Sequence, residues 1–482
     1  MIESCGEIAM SKSESGGGGK IITNGPGPSE VLAGRKVLVV GLGVTGFSVA
    51  RFLVKHGAVV RGTDIRDEER LTGAEDLKEM GLAISAGGFK RCDFLSAELI
   101  VISPGIAASN PLLSEAREKG IEVIGDLELA SRFMDVPIIA IAGTNGKSTV
   151  TSLIGEILEA SGRSVFVGGN IGTPVCDYFL KEVRAEICVL EVSSFQLESI
   201  VTFSPHIALL LNITEDHLER YSGFAEYAAV KFRVFDNQKS GDFAVVNAAD
   251  AVIDKETLGE AAQRHGEALY LPFNRSNGAG IYYEGKNIVF AFEGRRETYC
   301  VEAPGLKGAH NMENAMAAVA ALRLSGVSRE DVSEGLRSFK GLRHRMELIG
   351  ERGGVSFVDD SKGTNTGALL MALKSTPAPV ILIAGGRDKH GDYGVLNALM
   401  ADKVRLLLAL GEAGGRLSEA FTGIVEVRKV SSMEEAVETA AAEARPGETV
   451  LLSPACSSFD MFRDFKERGD RFAALVRALP ER

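Results

Sequence analysis

The run Gly143-Thr-Asn-Gly-Lys-Ser-Thr149 gathers more potential chemistry than any other stretch of this chain. The apolar residues 137–141 ahead of it read as a buried parallel strand. Val150, Leu153, Ile154, Ile157 and Leu158 behind it fall on one face of a helix. A glycine-rich turn between a strand and a helix N-terminus can surround a phosphate with backbone N–H groups. Lys147 is placed to reach the outer phosphates of a nucleotide, and the Ser148 hydroxyl to hold Mg²⁺. The common phosphate-loop pattern has glycine five residues before Gly146, where this chain has Ile141. The strand–loop–helix context therefore carries the assignment.

Glu191 ends the apolar run 187–191, and a carboxylate at a strand end beside a phosphate loop is the expected place for a Mg²⁺ ligand. Asn212-Ile-Thr-Glu-Asp-His217 ends a further apolar run. Lys231 by itself reads as an exposed helix lysine. Asn311 and Asn314 lie in His310-Asn-Met-Glu-Asn-Ala-Met-Ala-Ala318, whose small residues let another surface approach, and an Asn amide can read the edge of adenine. Nearer the N-terminus, Gly41-Leu-Gly-Val-Thr-Gly46 follows the β-branched run 36–40, and Asp64 comes 18 residues after Gly46. That is dinucleotide-binding spacing and, taken alone, suggests NAD.

The run 143–149 resembles the ATP-binding signature of the Mur ligases and the folylpolyglutamate synthetases, which are ATP-dependent amide-forming enzymes. The resemblance extends from about Gly34 to the C-terminus. It implies that Gly143, Thr144, Asn145, Gly146, Lys147, Ser148, Thr149, Asn311, Asn314, Arg345 and Asp360 bind ATP. It also implies that Lys147, His217, Lys231 and Arg345 are catalytic. In this family the matching lysine is carbamylated, which implies two Mg²⁺ ions held by Ser148, Glu191, His217 and carbamylated Lys231. The first glycine turn would then serve a UDP-linked substrate rather than NAD, with Val44, Thr45, Asp64, Arg66, Asn170 and His217 as its contacts.

Three strand-end blocks, Asp359-Asp-Ser-Lys-Gly-Thr-Asn365, Gly385-Gly-Arg-Asp-Lys-His390 and Ser453-Pro-Ala-Cys-Ser-Ser-Phe-Asp460, are followed by Phe465-Lys-Glu-Arg-Gly469. Together they resemble the D-glutamate-adding branch of the family. Thr364, Lys389, Ser458, Phe459 and Phe465 would hold D-glutamate. The Asp-Asn-Pro-Arg motif of the diaminopimelate- and lysine-adding relatives is absent. The resemblance implies ATP, D-glutamate and UDP-N-acetylmuramoyl-L-alanine as substrates, an acyl-phosphate intermediate, and a cytoplasmic, monomeric enzyme of peptidoglycan precursor synthesis.

These residues need rigid carriers. The 482 residues suffice for about three domains, and runs of strand and helix alternate throughout. We expect an α/β protein with a disordered tail (1–32), a Rossmann-like UDP-substrate domain (33–125), a central P-loop ATPase-like domain (126–341) and a C-terminal Rossmann-like amino-acid domain (342–482). A partly β-like insert is expected at about 267–301. A composition 45% hydrophobic and 24% charged is that of a soluble protein with ample core. The net charge of −12 speaks against a nucleic-acid partner, and no apolar run reaches membrane-spanning length. Six cysteines without CxxC spacing point to reduced thiols and no zinc site. An NAD-dependent dehydrogenase would use the first glycine turn but leaves the phosphate loop, Glu191 and the third domain unexplained. A non-catalytic nucleotide sensor would show no ATP turnover.

Overall fold

The computed structural model describes residues 26–480 apart from 72, 182–183, 218–219, 260–264, 276–277, 302–303, 307 and 388–391. Three sheets carry the chain. The first holds β1 (Lys36–Val40), β2 (Val59–Thr63), β3 (Ala83–Ser85), β4 (Leu99–Ile102) and β5 (Glu122–Gly125), all parallel, in the order β3-β2-β1-β4-β5. The order reverses beside β1, so loops leaving β1 and β4 open a crevice at their carboxyl ends. The glycine turn after Val40 fills one side of it, and residues 103–106 the other.

The central sheet has nine strands: β6 (Ile138–Ala142), β7 (Val165–Gly169), β8 (Ile187–Glu191), β9 (Ile207–Leu210), β10 (Phe243–Asn247), β11 (Leu269–Phe273), β12 (Gly280–Glu284), β13 (Asn287–Phe292) and β14 (Arg295–Cys300). Their order is β14-β13-β12-β11-β10-β9-β6-β8-β7. The insert expected at 267–301 thus extends the sheet, and only its last two pairings are antiparallel. β6 lies between β8 and β9, which puts the phosphate loop, Glu191 and Asn212 at adjacent strand ends. The third sheet contains β15 (Glu347–Arg352), β16 (Val355–Asp359), β17 (Val380–Gly385), β18 (Val404–Leu410), β19 (Glu426–Val430) and β20 (Thr449–Leu452), in the order β15-β16-β20-β17-β18-β19. Only β15 runs antiparallel to its neighbour.

The inner strands are near-continuous apolar runs because helices cover both sheet faces. One continuous apolar core joins the first sheet to one face of the central sheet, from Leu32 to Tyr270. The other face is closed by the helices Lys147–Ala160 and Ala309–Leu324. The third domain keeps its own two cores. Among the described residues no helix is long and apolar enough to cross a membrane.

One boundary differs from expectation. Residues 28–32, read as part of the tail, form the helix Pro28–Leu32. Pro28 suits a first helical position, and Leu32 is 1% exposed in the shared core. Residues 1–25 lie outside the described residues.

Glu128, in the helix Asp126–Ser131 that follows the first domain, ties that helix to residues 201–203 of the central domain. It is fully buried, and its carboxylate accepts from the N–H groups of Val201, Thr202 and Phe203 and from Arg132 Nε. Burial would raise its pKa, but these donors outweigh that and hold it below the usual carboxylate range. Glu128→Ala strands three backbone donors, and denaturant unfolding should show a loss of about 3 kcal/mol. A change under about 0.5 kcal/mol, the usual bound for a surface substitution, would contradict this role.

Candidate active site

The phosphate loop is shaped by two left-handed glycines, Gly143 (φ 140°) and Gly146 (φ 88°), the latter capping the helix Lys147–Ala160. Polar residues behind it clamp it. Asn145 N–H donates to Asn212 Oδ1 (2.8 Å), and Asn212 Nδ2 returns a bond to Asn145 O (3.0 Å). Thr144 Oγ1 lies 3.0 Å from the Tyr227 hydroxyl and accepts from Thr214 N–H at 3.1 Å. The Asn212–His217 segment therefore does more than carry a histidine. Asn212 and Thr214 hold the loop, a role the sequence reading did not assign although both lie at a strand end.

Lys147 folds over the loop and donates to Gly143 O (2.9 Å) and Thr144 O (2.8 Å). Lys231 reaches the same Gly143 carbonyl at 2.8 Å from the helix Phe224–Phe232. It is 2% exposed, so the simple reading of an exposed lysine does not describe it. Its amine lies 4.6 Å from the centre of the Tyr227 ring. Burial, reinforced by the Lys147 charge, pulls its pKa well below the ordinary lysine value against the pull of Asp216 and Glu191. His217, with φ 55°, has its ring 4.8 Å from that of Phe195 at a tilt of 58° and sits 3.7 Å from Asp216 Oδ2.

Glu191 is 3% exposed. Its Oε1 accepts from Asn170 Nδ2 at 2.7 Å, while its buried Oε2 makes no hydrogen bond among the described residues. Burial alone would raise its pKa, but the Lys147 charge, the Asn170 and Ser148 side chains and Arg345 hold it below the usual range. An ionised carboxylate with one open buried oxygen next to a P-loop serine fits a divalent cation.

The third domain enters through Arg345, whose Nη2 donates to Ser148 Oγ at 2.9 Å. The preceding His344, with φ 62°, fixes this segment through Nδ1 on Asp359 Oδ2 (2.7 Å) and its N–H on Glu347 (2.8 Å). Asp360 is buried, and burial raises its carboxyl to about 7 despite the Ser453 hydroxyl donor and the Arg345 charge. Asn365 crosses to Asp216 at 2.9 Å.

One cleft of about 480 Å³ gathers residues 144–149, Asn170, Glu191, His217, Asn311, Asn314, Arg345, Asp360 and Thr364. Asn314 Nδ2 donates to Asn311 Oδ1 (3.2 Å), and Asn314 rests against Gly146. Lys231 lies behind the loop rather than on the cleft wall. Lys362, which the sequence reading passed over, lines the cleft and sets its amine 4.0 Å from the centre of the Phe465 ring. Burial lowers it to about 8. Its signal was present, a lysine inside the strand-end block 359–365. Ser458 is buried and Phe459 is 61% exposed, and neither lines the cleft. Lys389 lies outside the described residues.

The first glycine turn lies apart from this cleft. Val44, 76% exposed, and Thr45 begin the helix Val44–Lys55 above β1. Asp64 accepts from Leu42 N–H (2.7 Å), from Arg66 N–H and Nε (both 2.9 Å) and from Arg66 Nη2 (2.8 Å). Burial is outweighed by these bonds and the Arg66 charge, and its pKa falls to about 2. Its oxygens are already engaged, which disfavours the ribose-binding role an NAD site needs.

Gly146 tests the loop directly. A Cβ there would lie 2.3 Å from Asn314 Oδ1 on a left-handed backbone. Gly146→Ala should weaken ATP binding about tenfold or more by calorimetry, since left-handed strain alone costs about 1–2 kcal/mol. Unchanged ATP affinity would show that the loop does not hold the nucleotide.

Comparison with known proteins agrees with this geometry. Residues 35–125 match the Mur ligase MurD-like N-terminal domain, 141–322 the Mur ligase middle domain and 344–456 the Mur ligase glutamate ligase domain. The chain is 44% identical over 449 residues to the UDP-N-acetylmuramoylalanine–D-glutamate ligase of Geobacter metallireducens, covering 93% of this chain and 98% of that protein. It is 45% identical over 452 residues to the protein of the same name from Desulfatibacillum aliphaticivorans, covering 93% and 99%. Among solved structures, a pseudomurein peptide ligase type C from Methanothermus fervidus aligns with a TM-score of 0.58 at 18% identity, over 92% of this chain and 99% of that one. A MurF ligase from Thermotoga maritima in complex with ADP aligns with a TM-score of 0.55 at 17% identity, over 94% and 97%. These two show the shared fold. With its three domains matched in order and near-full-length relatives above 40% identity, the chain belongs to the Mur ligase family.

Proposed function

We propose that this chain is an ATP-dependent ligase that joins D-glutamate to UDP-N-acetylmuramoyl-L-alanine, the activity its curated relatives are named for. The observation that carries the reading is the single cleft in which the phosphate loop, the open Glu191 oxygen and the third-domain residues Arg345, Asp360 and Thr364 meet. The γ-phosphoryl of ATP passes to the substrate carboxylate, and the amine of D-glutamate then attacks the acyl phosphate and expels phosphate.

Two anions must approach for the first step. Lys147 and Arg345 face the phosphates and offset that repulsion, while Asn311 and Asn314 take the adenine end. Asn170 and His217 are the proposed contacts for the reacting carboxylate of a substrate whose UDP end is anchored at Val44, Thr45 and Arg66, the last held in place by Asp64. Ser148 and Glu191 would hold one Mg²⁺, and His217 with a carbamylated Lys231 a second. Bound there, the ions would neutralise phosphate charge in the transition state. A neutral amine is the form that adds CO₂, and the depressed pKa of buried Lys231 supports that modification. Thr364, Lys389, Ser458, Phe459 and Phe465 are the proposed D-glutamate contacts, and Lys362 joins them through its place over Phe465. A folylpolyglutamate-type or NAD-dependent activity has less support, because the relatives match over the third domain and Asp64 is already engaged. ATP, a UDP-linked substrate and five unbridged cysteines among the described residues suit work in the cytoplasm.

The direct test is phosphate release from ATP with UDP-N-acetylmuramoyl-L-alanine and either enantiomer of glutamate. D-Glutamate should be used and L-glutamate rejected by about 100-fold or more, since inverting the α-carbon misdirects the amine. Lys147→Ala should lose about 100-fold or more in kcat while remaining folded. Equal rates with both enantiomers, or no release with either, would defeat the reading.

Lys231 has its own test. Lys231→Ala should be inactive, and short carboxylic acids added to the assay should restore part of the rate by replacing the missing anion. Near-wild-type activity without any added acid would rule out a catalytic role for this side chain.

A further inference from the structure

Arg220 links the central domain to the first. Its guanidinium grips Glu198 with two bonds, Nε to Oε1 at 2.9 Å and Nη2 to Oε2 at 2.7 Å. The remaining donors cross into the first domain, Nη1 to Pro104 O at 2.9 Å and Nη2 to Ile106 O at 3.1 Å. The guanidinium carbon lies 4.0 Å from the centre of the Phe195 ring, and that ring is 4.8 Å from His217. Glu198 is fixed in turn by the Tyr221 hydroxyl at 2.7 Å, and its backbone carbonyl by Arg233 at 2.8 Å.

The far end of this bridge is equally rigid. The loop carrying Pro104 and Ile106 is joined to the first glycine turn through Ser103 Oγ, which donates to Gly41 O at 2.7 Å. A Cβ on Gly41 would stand 3.1 Å from Ser103 Cβ and 3.3 Å from Ile106 Cγ1, so loop and turn are in contact. A continuous chain of packed groups therefore runs from the glycine turn through Arg220 and Phe195 to His217. Among the described residues, further side-chain links between these domains are Ser48 to Asp177 and Lys55 to Phe179, on the helix Val44–Lys55, and the ion pair of Arg132 with Glu122 at 2.8 Å; none of them engages the loop 103–106.

Resting on the ligase reading above, we propose that Arg220 is a positioning residue that fixes the distance between the site for the UDP end of the substrate and the site for its reacting carboxylate. A substrate held at two points gains affinity and orientation only if the span between them is constant. Arginine suits the task because its planar fork serves a carboxylate and two carbonyls at once, whereas a lysine amine serves fewer and in no fixed plane.

The test separates the ends from the span. Calorimetry on Arg220→Ala should give dissociation constants for UDP alone and for ATP alone within about twofold of wild type. The complete substrate binds wild type more tightly than UDP does, and that surplus should shrink about tenfold or more in the variant, with a matching fall in kcat/KM. Arg220→Lys should fall between the two. A loss of folded molecules would lower the apparent kcat and leave every affinity unchanged, which would overturn the proposal. So would an unchanged surplus in folded Arg220→Ala. If wild type shows the surplus and the variant loses it, but no ATP is consumed with D-glutamate, the ligase reading fails and the positioning role stands. If wild type binds the complete substrate no better than UDP, the proposal itself is wrong.

Discussion

Two lysine amines converge on one carbonyl oxygen, that of Gly143. Like charges in so dry a place repel strongly, and one of them must give way. The structure shows which. Lys147 stands on the cleft wall where polyphosphate oxygens can balance it, while Lys231 sits behind the loop under Tyr227 and carries the larger burial cost. Glu191 and Asp216 lie near enough to temper the positive charge without pairing it away. The rest of the centre follows from this imbalance. On the cleft wall Lys147, Arg345, Lys362 and Lys374 alternate with Glu191, Asp216, Asp250, Glu313 and Asp360, so each cation there is set against nearby carboxylates.

In the central sheet β6 lies between β8 and β9, so the phosphate loop, Glu191 and Asn212 leave neighbouring strand ends. The first two domains share an apolar core. The third has separate cores and meets the others across the cleft through polar contacts, Arg345 on Ser148 and Asn365 on Asp216. Polar contacts of this kind are replaced by water more readily than a common core is opened, so relative movement is expected at this boundary.

Much of this was legible in the chain. The strands at 36–40, 243–247 and 380–385 fall where the apolar runs lie, because strands buried on both faces leave little choice of residue. β3, β7, β15 and β19 were not legible, and each is an edge strand. An edge strand is half solvated, and Glu426-Val-Arg-Lys-Val430 has no apolar run to betray it. In the site, Gly143–Thr149 and Glu191 announced themselves by residue type and position. Lys231 did not, since nothing in its local sequence reports that the loop of another strand covers its amine. Asn212, Thr214 and Arg220 were missed for a related reason. They act by holding backbone carbonyls, N–H groups and loop atoms, and such partners have no signature in sequence.

The edge strands that resist reading also decide how the molecule behaves among its neighbours. β14 opens with Arg295 and Arg296 followed by Glu297, and β19 alternates Glu426 with Arg428 and Lys429. Any further strand adding to these borders would have to strip water from fixed charges in register with its own backbone. Nine parallel-rich strands and a second large sheet make a chain of this kind prone to sticking while it folds. Charged borders of this kind oppose strand addition along β14 and β19.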